Sequence, residues 1–247
     1  MKFKIFLILP LIFIFNIVLS QNNDTSVKIS GKISDNAGFK NITIEKMGKK
    51  AIKLASSPID EQGNFSLNFN VEKTGYHKLV LNNKVNQLLV LSPGEKIDIS
   101  FSLKDLQNSM VLSGSPVSEI IIETQKIVNN FKKRIDSLDI IYKKYVTAQN
   151  IDSLKYELTL KAQKIEIERV SFLHNFILQN NTSLAGLIFI EQLNLEQHLN
   201  TYGILAKGLY EKYADDDYVI SFHNKVSAAQ RTAIGSPAPE INLPSPS

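Results

Sequence analysis

The chain has 247 residues, 43% hydrophobic and 21% charged, which are the proportions of a globular protein and exclude a disordered or fibrous one. It contains no cysteine and no tryptophan, so it can neither form a disulfide nor exchange thiols. The formal charge is +4, but setting aside Lys2 and Lys4 leaves 26 basic residues against 24 acidic ones, a surplus too small to argue for nucleic acid or an anionic membrane surface.

The first twenty residues, MKFKIFLILPLIFIFNIVLS, have the layout of a secretory signal peptide. Lys2 and Lys4 form a positive start, and Ile5 to Leu19 is an apolar run of 15 residues interrupted by Pro10 and Asn16. Val18 and Ser20 then precede the polar Gln21–Asp24. A membrane span needs roughly 20 apolar residues, so cleavage after Ser20 and export are expected. An uncleaved leader would be the chain's contact with a membrane. No cysteine follows it, which excludes a lipid anchor on that side chain.

From Ser26 the pattern changes to short runs of period two between turn residues. Val27, Ile29 and Ile33 make the first run, Ile42 and Ile44 the second, and Ile52 and Leu54 a third that ends at Pro58. Asp60–Gly63 reads as a turn before Phe65, Leu67, Phe69 and Val71, the cleanest alternation in the chain. Gly75 to Leu81 follows, turned by Asn82-Asn83. Leu88–Leu91 is continuously apolar and reads as a central strand buried on both faces. Ser92–Glu95 is a tight turn, Ile97, Ile99 and Phe101 alternate after it, and Val111-Leu112 closes the set. With no helical pattern to carry a parallel crossover, an antiparallel sandwich or barrel over residues 26–115 is expected.

These residues also carry a resemblance. SVKISGKIS, the Asp60–Phe65 turn, GYHKLVL, LLVLSPGEKIDISF and VLSGS resemble the β-domain of unknown function that precedes the thioredoxin-like domain in exported TlpA-like proteins of Gram-negative bacteria. The resemblance implies a fold and a domain neighbourhood, in the periplasm or cell envelope. It brings no catalytic residue, cofactor or metal.

Residues 116–230 read as helices, giving an α+β chain in two parts. Pro116 behind Ser115 suits a serine-capped helix start. Ile120, Thr124, Ile127, Phe131, Ile135, Leu138 and Tyr145 then form an apolar face opposite Lys132, Lys133, Arg134, Asp136 and Asp139. A second helix, capped by Asn150 or Asp152, runs to about Leu178 with apolar residues on two faces. Leu158, Ala162, Ile165, Phe172 and Phe176 lie on one; Leu160, Ile167, Val170 and Ile177 lie on the other, which implies two neighbours. Further helices are expected at Leu184–Leu193, Leu195–Ala214 and Tyr218–Gln230. TlpA-like proteins have a helical segment of this kind. LQNNTSLAGL resembles their Asn-Pro-x-Ser phrase, with Thr182 in place of the proline.

Candidate sites are few. His77, His174, His198 and His223 lack the i, i+4 spacing of a helical zinc site. Asp215-Asp216-Asp217 lacks the alternating oxygen ligands of a calcium loop and better suits a solvated helix start. Glu166 and Glu168 diverge on a helix, while Asp136 and Asp139 lie among lysines. Asn-x-Ser/Thr triplets at Asn23, Asn41, Asn64, Asn180 and Asn181 matter only where glycosylation machinery exists.

The final stretch, IGSPAPEINLPSPS, holds four of the eight prolines. Gly235, Ala238, Pro239, Ile241 and Leu243 resemble the Gly-x-x-Ala-Pro opening of thioredoxin-like redoxin domains. Residues 231–247 are therefore expected to be a linker and the first residues of such a domain, whose CxxC pair would follow Ser247. The resemblance implies the non-catalytic N-terminal region of a TlpA-like thiol-disulfide oxidoreductase, serving positioning or partner recognition. Exported proteins or a second copy of the chain would be its partners. The rival expectation is an exported binding or scaffolding module with no enzymatic role.

Overall fold

A computed structural model describes residues 24–35, 38–81, 85–146 and 151–233. The leader, the Asn82-Asn83 turn and the proline-rich stretch with Gly235, Ala238, Pro239, Ile241 and Leu243 lie outside the described residues.

Among the described residues, eight strands form two four-stranded sheets. β1 (Ser26–Ser34), β4 (Asn64–Asn70), β7 (Lys96–Ser102) and β8 (Val111–Ser113) make one, in the order β4-β1-β7-β8. β2 (Asn41–Lys46), β3 (Ile52–Pro58), β5 (Gly75–Leu81) and β6 (Val85–Leu91) make the other, in the order β3-β2-β5-β6. Alternation decides which side chains meet between them: in β4, Phe65, Leu67 and Phe69 are buried while the residues between them are exposed. They share one core with Ile29, Ile44, Leu79 and Ile99 from both sheets. The sheets stay open, so the domain is a sandwich and not a barrel.

One pairing departs from the antiparallel expectation. β1 and β7 run parallel, with Ile29 opposite Ile97. No helix carries this crossover. Five strands lie between the two in sequence, four of them in the other sheet, and they bring the chain back in the same direction. A short helix also interrupts the strand region: α1 (Leu106–Ser109), between β7 and β8.

Two turns within the phrases that carry the resemblance require glycine. Gly63 sits at φ 83°, where a Cβ would run into the Ile33 carbonyl oxygen. There the Asp60 carboxylate accepts from the Asn64 backbone N–H at 2.7 Å and from its side-chain amide at 3.0 Å. Gly114, in Leu112–Ser115, sits at φ 89°, where a Cβ would meet the Lys96 carbonyl oxygen.

The remaining helices are α2 (Pro116–Tyr145), α3 (Ile151–Gln179), α4 (Leu184–Ile190), α5 (Leu199–Lys212) and α6 (Asp217–Thr232). The buried face of α2 agrees with the expected one only in part. Thr124 is buried and Phe131, Ile135 and Leu138 are half-buried, as expected, but Ile120, Ile127 and Tyr145 are exposed while Ile121, Ile122 and Val128 are buried. The start of the helix is pinned to the sheet, so its first turns also bury the residues one place along from the stripe, while the second half keeps the expected face inward. On α3 the first expected face is buried at Leu158, Ile165 and Phe176, together with Leu173 and Ile177. The second is split, since Ile177 is fully buried while Leu160 and Ile167 are exposed.

α2 decides how the sandwich closes. On one side β3 approaches β4, where the Ser66 N–H donates to Ser57 Oγ at 3.4 Å. On the other, α2 lies against both β6 and β8 and sends Ile122 into the sandwich core. This corrects the expectation for Leu88–Leu91. β6 is the edge strand of its sheet, not a central one. It is apolar on both faces because Leu89 and Leu91 face the sandwich while Val90 faces the helices.

Candidate binding site at the sheet–helix junction

An edge strand exposes a row of unpaired backbone groups. At Val90 this row is closed by side chains. Ser118 Oγ accepts from the Val90 N–H at 3.0 Å and donates to the Val90 carbonyl at 2.8 Å. Ser115 Oγ donates to the same carbonyl at 3.1 Å. Both serines are fully buried. Ser115 does occupy the N-cap position of α2, but its hydroxyl makes no capping bond, which corrects the expected serine cap. Glu119 instead reaches back over this end, its Oε1 accepting from the N–H groups of Gly114 and Ser115 at 2.7 and 3.3 Å.

A second bond ties the sheet to the helices. The Tyr76 side chain on β5 is buried, and its hydroxyl donates to the Leu184 carbonyl at the start of α4, at 2.8 Å. Burial pushes its phenol well above the ordinary range. Tyr76 and Val90 belong to the same core as Leu173, Ile177, Phe189 and Leu205 of the helices. Lys73, before β5, pairs with Asp215 at 2.7 Å beyond the end of α5.

Two hollows open beside this junction, and Leu88 and Ile188 line both. One, of about 270 Å³, is walled by Met47, Tyr76, Leu187, Tyr218 and Phe222, with Glu191 and Lys225 paired at 3.3 Å among its lining. The other, of about 280 Å³, lies between β6, α1 and α2, and Asn86, Gln87, Gln107, Ile121 and Gln125 contribute to it.

Two titratable groups sit close by in unusual surroundings. Burial pushes the Glu95 carboxyl up, and its Oε2 is buried without a hydrogen-bond partner. His77 is buried with its Nδ1 2.9 Å from the Gly75 carbonyl, and burial holds its ring below the usual imidazole range.

The other candidate residues are dispersed. His174 Nδ1 lies 2.9 Å from Thr201 Oγ1, its ring centroid is 6.3 Å from that of His198, and His223 stacks on Tyr210 at 4.3 Å. Among the described residues no three metal-binding side chains cluster, and no helix is long and apolar enough to cross a membrane. The three aspartates divide their work: Asp215 pairs with Lys73, Asp216 caps α6 by accepting from the N–H groups of Tyr218 and Val219, and Asp217 lies in its first turn. Glu166 chelates Arg169, while Glu168 reaches Arg134 across the α2–α3 pair at 2.8 Å. Of the two serines of this clasp, sequence reasoning missed Ser118 and gave Ser115 only a capping role. Their signal was the i, i+3 spacing of Ser115 and Ser118, which places both on one helix face.

Residues 27–121 match the family described as a domain of unknown function, DUF4369. The match spans all eight strands and ends in α2 just past Ser118. No curated protein matches the chain. Among solved structures, one from Bacteroides ovatus ATCC 8483, provisionally described as a cell adhesion protein, is similar at 12% identity and a TM-score of 0.22. The similarity covers 36% of this chain and 42% of that one, and at that level it decides neither fold nor function.

Proposed function

We propose that this chain is the non-catalytic N-terminal region of an exported TlpA-like thiol-disulfide oxidoreductase, with the sandwich and helices positioning a thioredoxin domain or recognising its partner. The observation that carries the reading is the core shared through Tyr76 and Val90, which packs the helical segment against the sheet. A thiolate attacks a disulfide only in a suitable approach, so a mount for its carrier has a use. The phrase containing Gly235, Ala238, Pro239, Ile241 and Leu243 supports the identity of that carrier, and the leader supports a periplasmic or envelope location.

Reading the gene past the Ser247 codon tests this. A Trp-Cys-x-x-Cys-like motif within the next domain is the expected result, and a stop codon directly after Ser247 would overturn it. A second reading, an exported binding or scaffolding module with no enzymatic role, is favoured by the hollows on either side of Leu88 and Ile188. The 247-residue chain is silent in a thiol-exchange assay on both readings.

A further inference from the structure

In an antiparallel pair, residues alternate between bonding the partner strand and pointing their N–H and C=O away from it. Val90 points both groups outward, to the serines of α2. Leu88 and Asn86, two and four residues earlier on β6, therefore point theirs outward as well. The clasp does not reach them. Among the described residues the Leu88 carbonyl accepts only from the side-chain amide of the adjacent Gln87, at 3.0 Å, and nothing caps the outward groups of Asn86.

The hollow of about 280 Å³ opens beside this uncapped stretch. None of its lining residues is charged. Asn86, Gln87, Gln107 and Gln125 supply amides, and Leu106, Met110, Ile121 and Ile122 supply apolar wall. Amides match peptide groups, and the lack of charge disfavours an anionic or cationic ligand. Small-molecule pockets run to roughly 300–1,000 Å³, so a hollow of this size better suits one side chain with its backbone lying outside.

We propose that the Asn86–Leu88 edge of β6 receives a short, extended, uncharged peptide segment, which adds as a strand and places one apolar side chain in the hollow between β6, α1 and α2. Main-chain bonds supply affinity and the hollow supplies selectivity. The proposal goes beyond the reading above and does not depend on a thioredoxin domain following.

The test is titration of the isotope-labelled chain with capped pentapeptides Thr-Thr-X-Thr-Thr, where X is Val, Leu, Ile, Met or Phe. Saturable shifts at Asn86, Leu88, Gln125 and Ile188 are expected, with a Kd of about 1 mM or tighter for at least one peptide. N-methylation at X should weaken binding by about tenfold or more, the loss of roughly one main-chain bond. Asn86→Pro should do the same, since proline is tolerated where an edge N–H faces outward. Gln107→Trp, at an exposed site on the hollow's rim, serves if that variant does not fold. No binding by any of the five peptides up to about 5 mM would overturn the proposal. So would unchanged affinity after N-methylation, or shifts at these residues with dodecyl maltoside, whose chain is a plain alkyl group, and with none of the peptides.

Discussion

The Ser118 hydroxyl stands to Val90 as a neighbouring strand would, accepting from its N–H at 3.0 Å and donating to its carbonyl at 2.8 Å. Because both residues are buried, water cannot substitute if the hydroxyl is lost. Ser118→Ala should therefore lower stability by about 1–3 kcal/mol, the range for an orphaned buried polar group. Urea unfolding would show it as a lower midpoint with an unchanged slope. Ser115→Ala, which removes only one of two donors to the Val90 carbonyl, should cost less.

Tyr76→Phe keeps the edge-on ring contact with Tyr218, at 5.6 Å, and removes only the donor to Leu184. A loss of about 1 kcal/mol is expected. Because the two parts share that core, probes of the strands and of the helices should still unfold together in the variant.

His77 should make the fold acid-sensitive. Burial lowers its folded-state pKa below the ordinary 6.5, so the unfolded chain binds the proton more readily. The contribution is intact above pH 6.5 and declines as pH falls through that value towards the lower folded one. In His77→Phe, stability measured from pH 8 to pH 5 should show a shallower fall.

Glu95 has the opposite sign. Burial raises its folded-state pKa above the ordinary 4.5, so the folded chain holds the proton longer. Its ionisation therefore costs stability as pH rises past 4.5 and through the raised value. Glu95→Gln should be more stable than the parent at pH 8, and the difference should vanish below about pH 4, where both carry a neutral side chain. Thermal melts at the two pH values would test it.

The two faces of α3 should differ sharply under mutation. Leu173 is fully buried, and Leu173→Ala should cost about 2–5 kcal/mol. Ile167 is 67% exposed, and Ile167→Ser should stay within about 0.5 kcal/mol. A similar large loss at both sites in denaturant titrations would mean that a partner covers Ile167.

Much of this architecture was legible in the residues. Alternation such as Phe65, Leu67 and Phe69 gives strands their register because one face must be buried, and each expected run became a strand. Sheet membership was not legible. The parallel pairing of β1 with β7 depends on strands far apart in sequence, and no local pattern records it. Nor could Leu88–Leu91 announce itself as an edge, because a covering helix makes an edge strand as apolar as a central one. The face of α2 shifted in its first turns for a related reason. Ile120 and Ile127 fit the helical period as well as Ile121 and Val128, and the serine contacts to β6 choose between the two stripes. Of the junction, only Ser115 stood out in the sequence, and its hydroxyl serves a neighbour that helix rules do not anticipate.

Closing Val90 with alcohol groups also limits how the sandwich can associate. A foreign strand, or the matching border of another copy, could not bond Val90, whose N–H and carbonyl are already taken by α2, so β6 cannot be matched along its whole length. The border left for pairing is shorter than the roughly six or seven residues that stacked sheets favour.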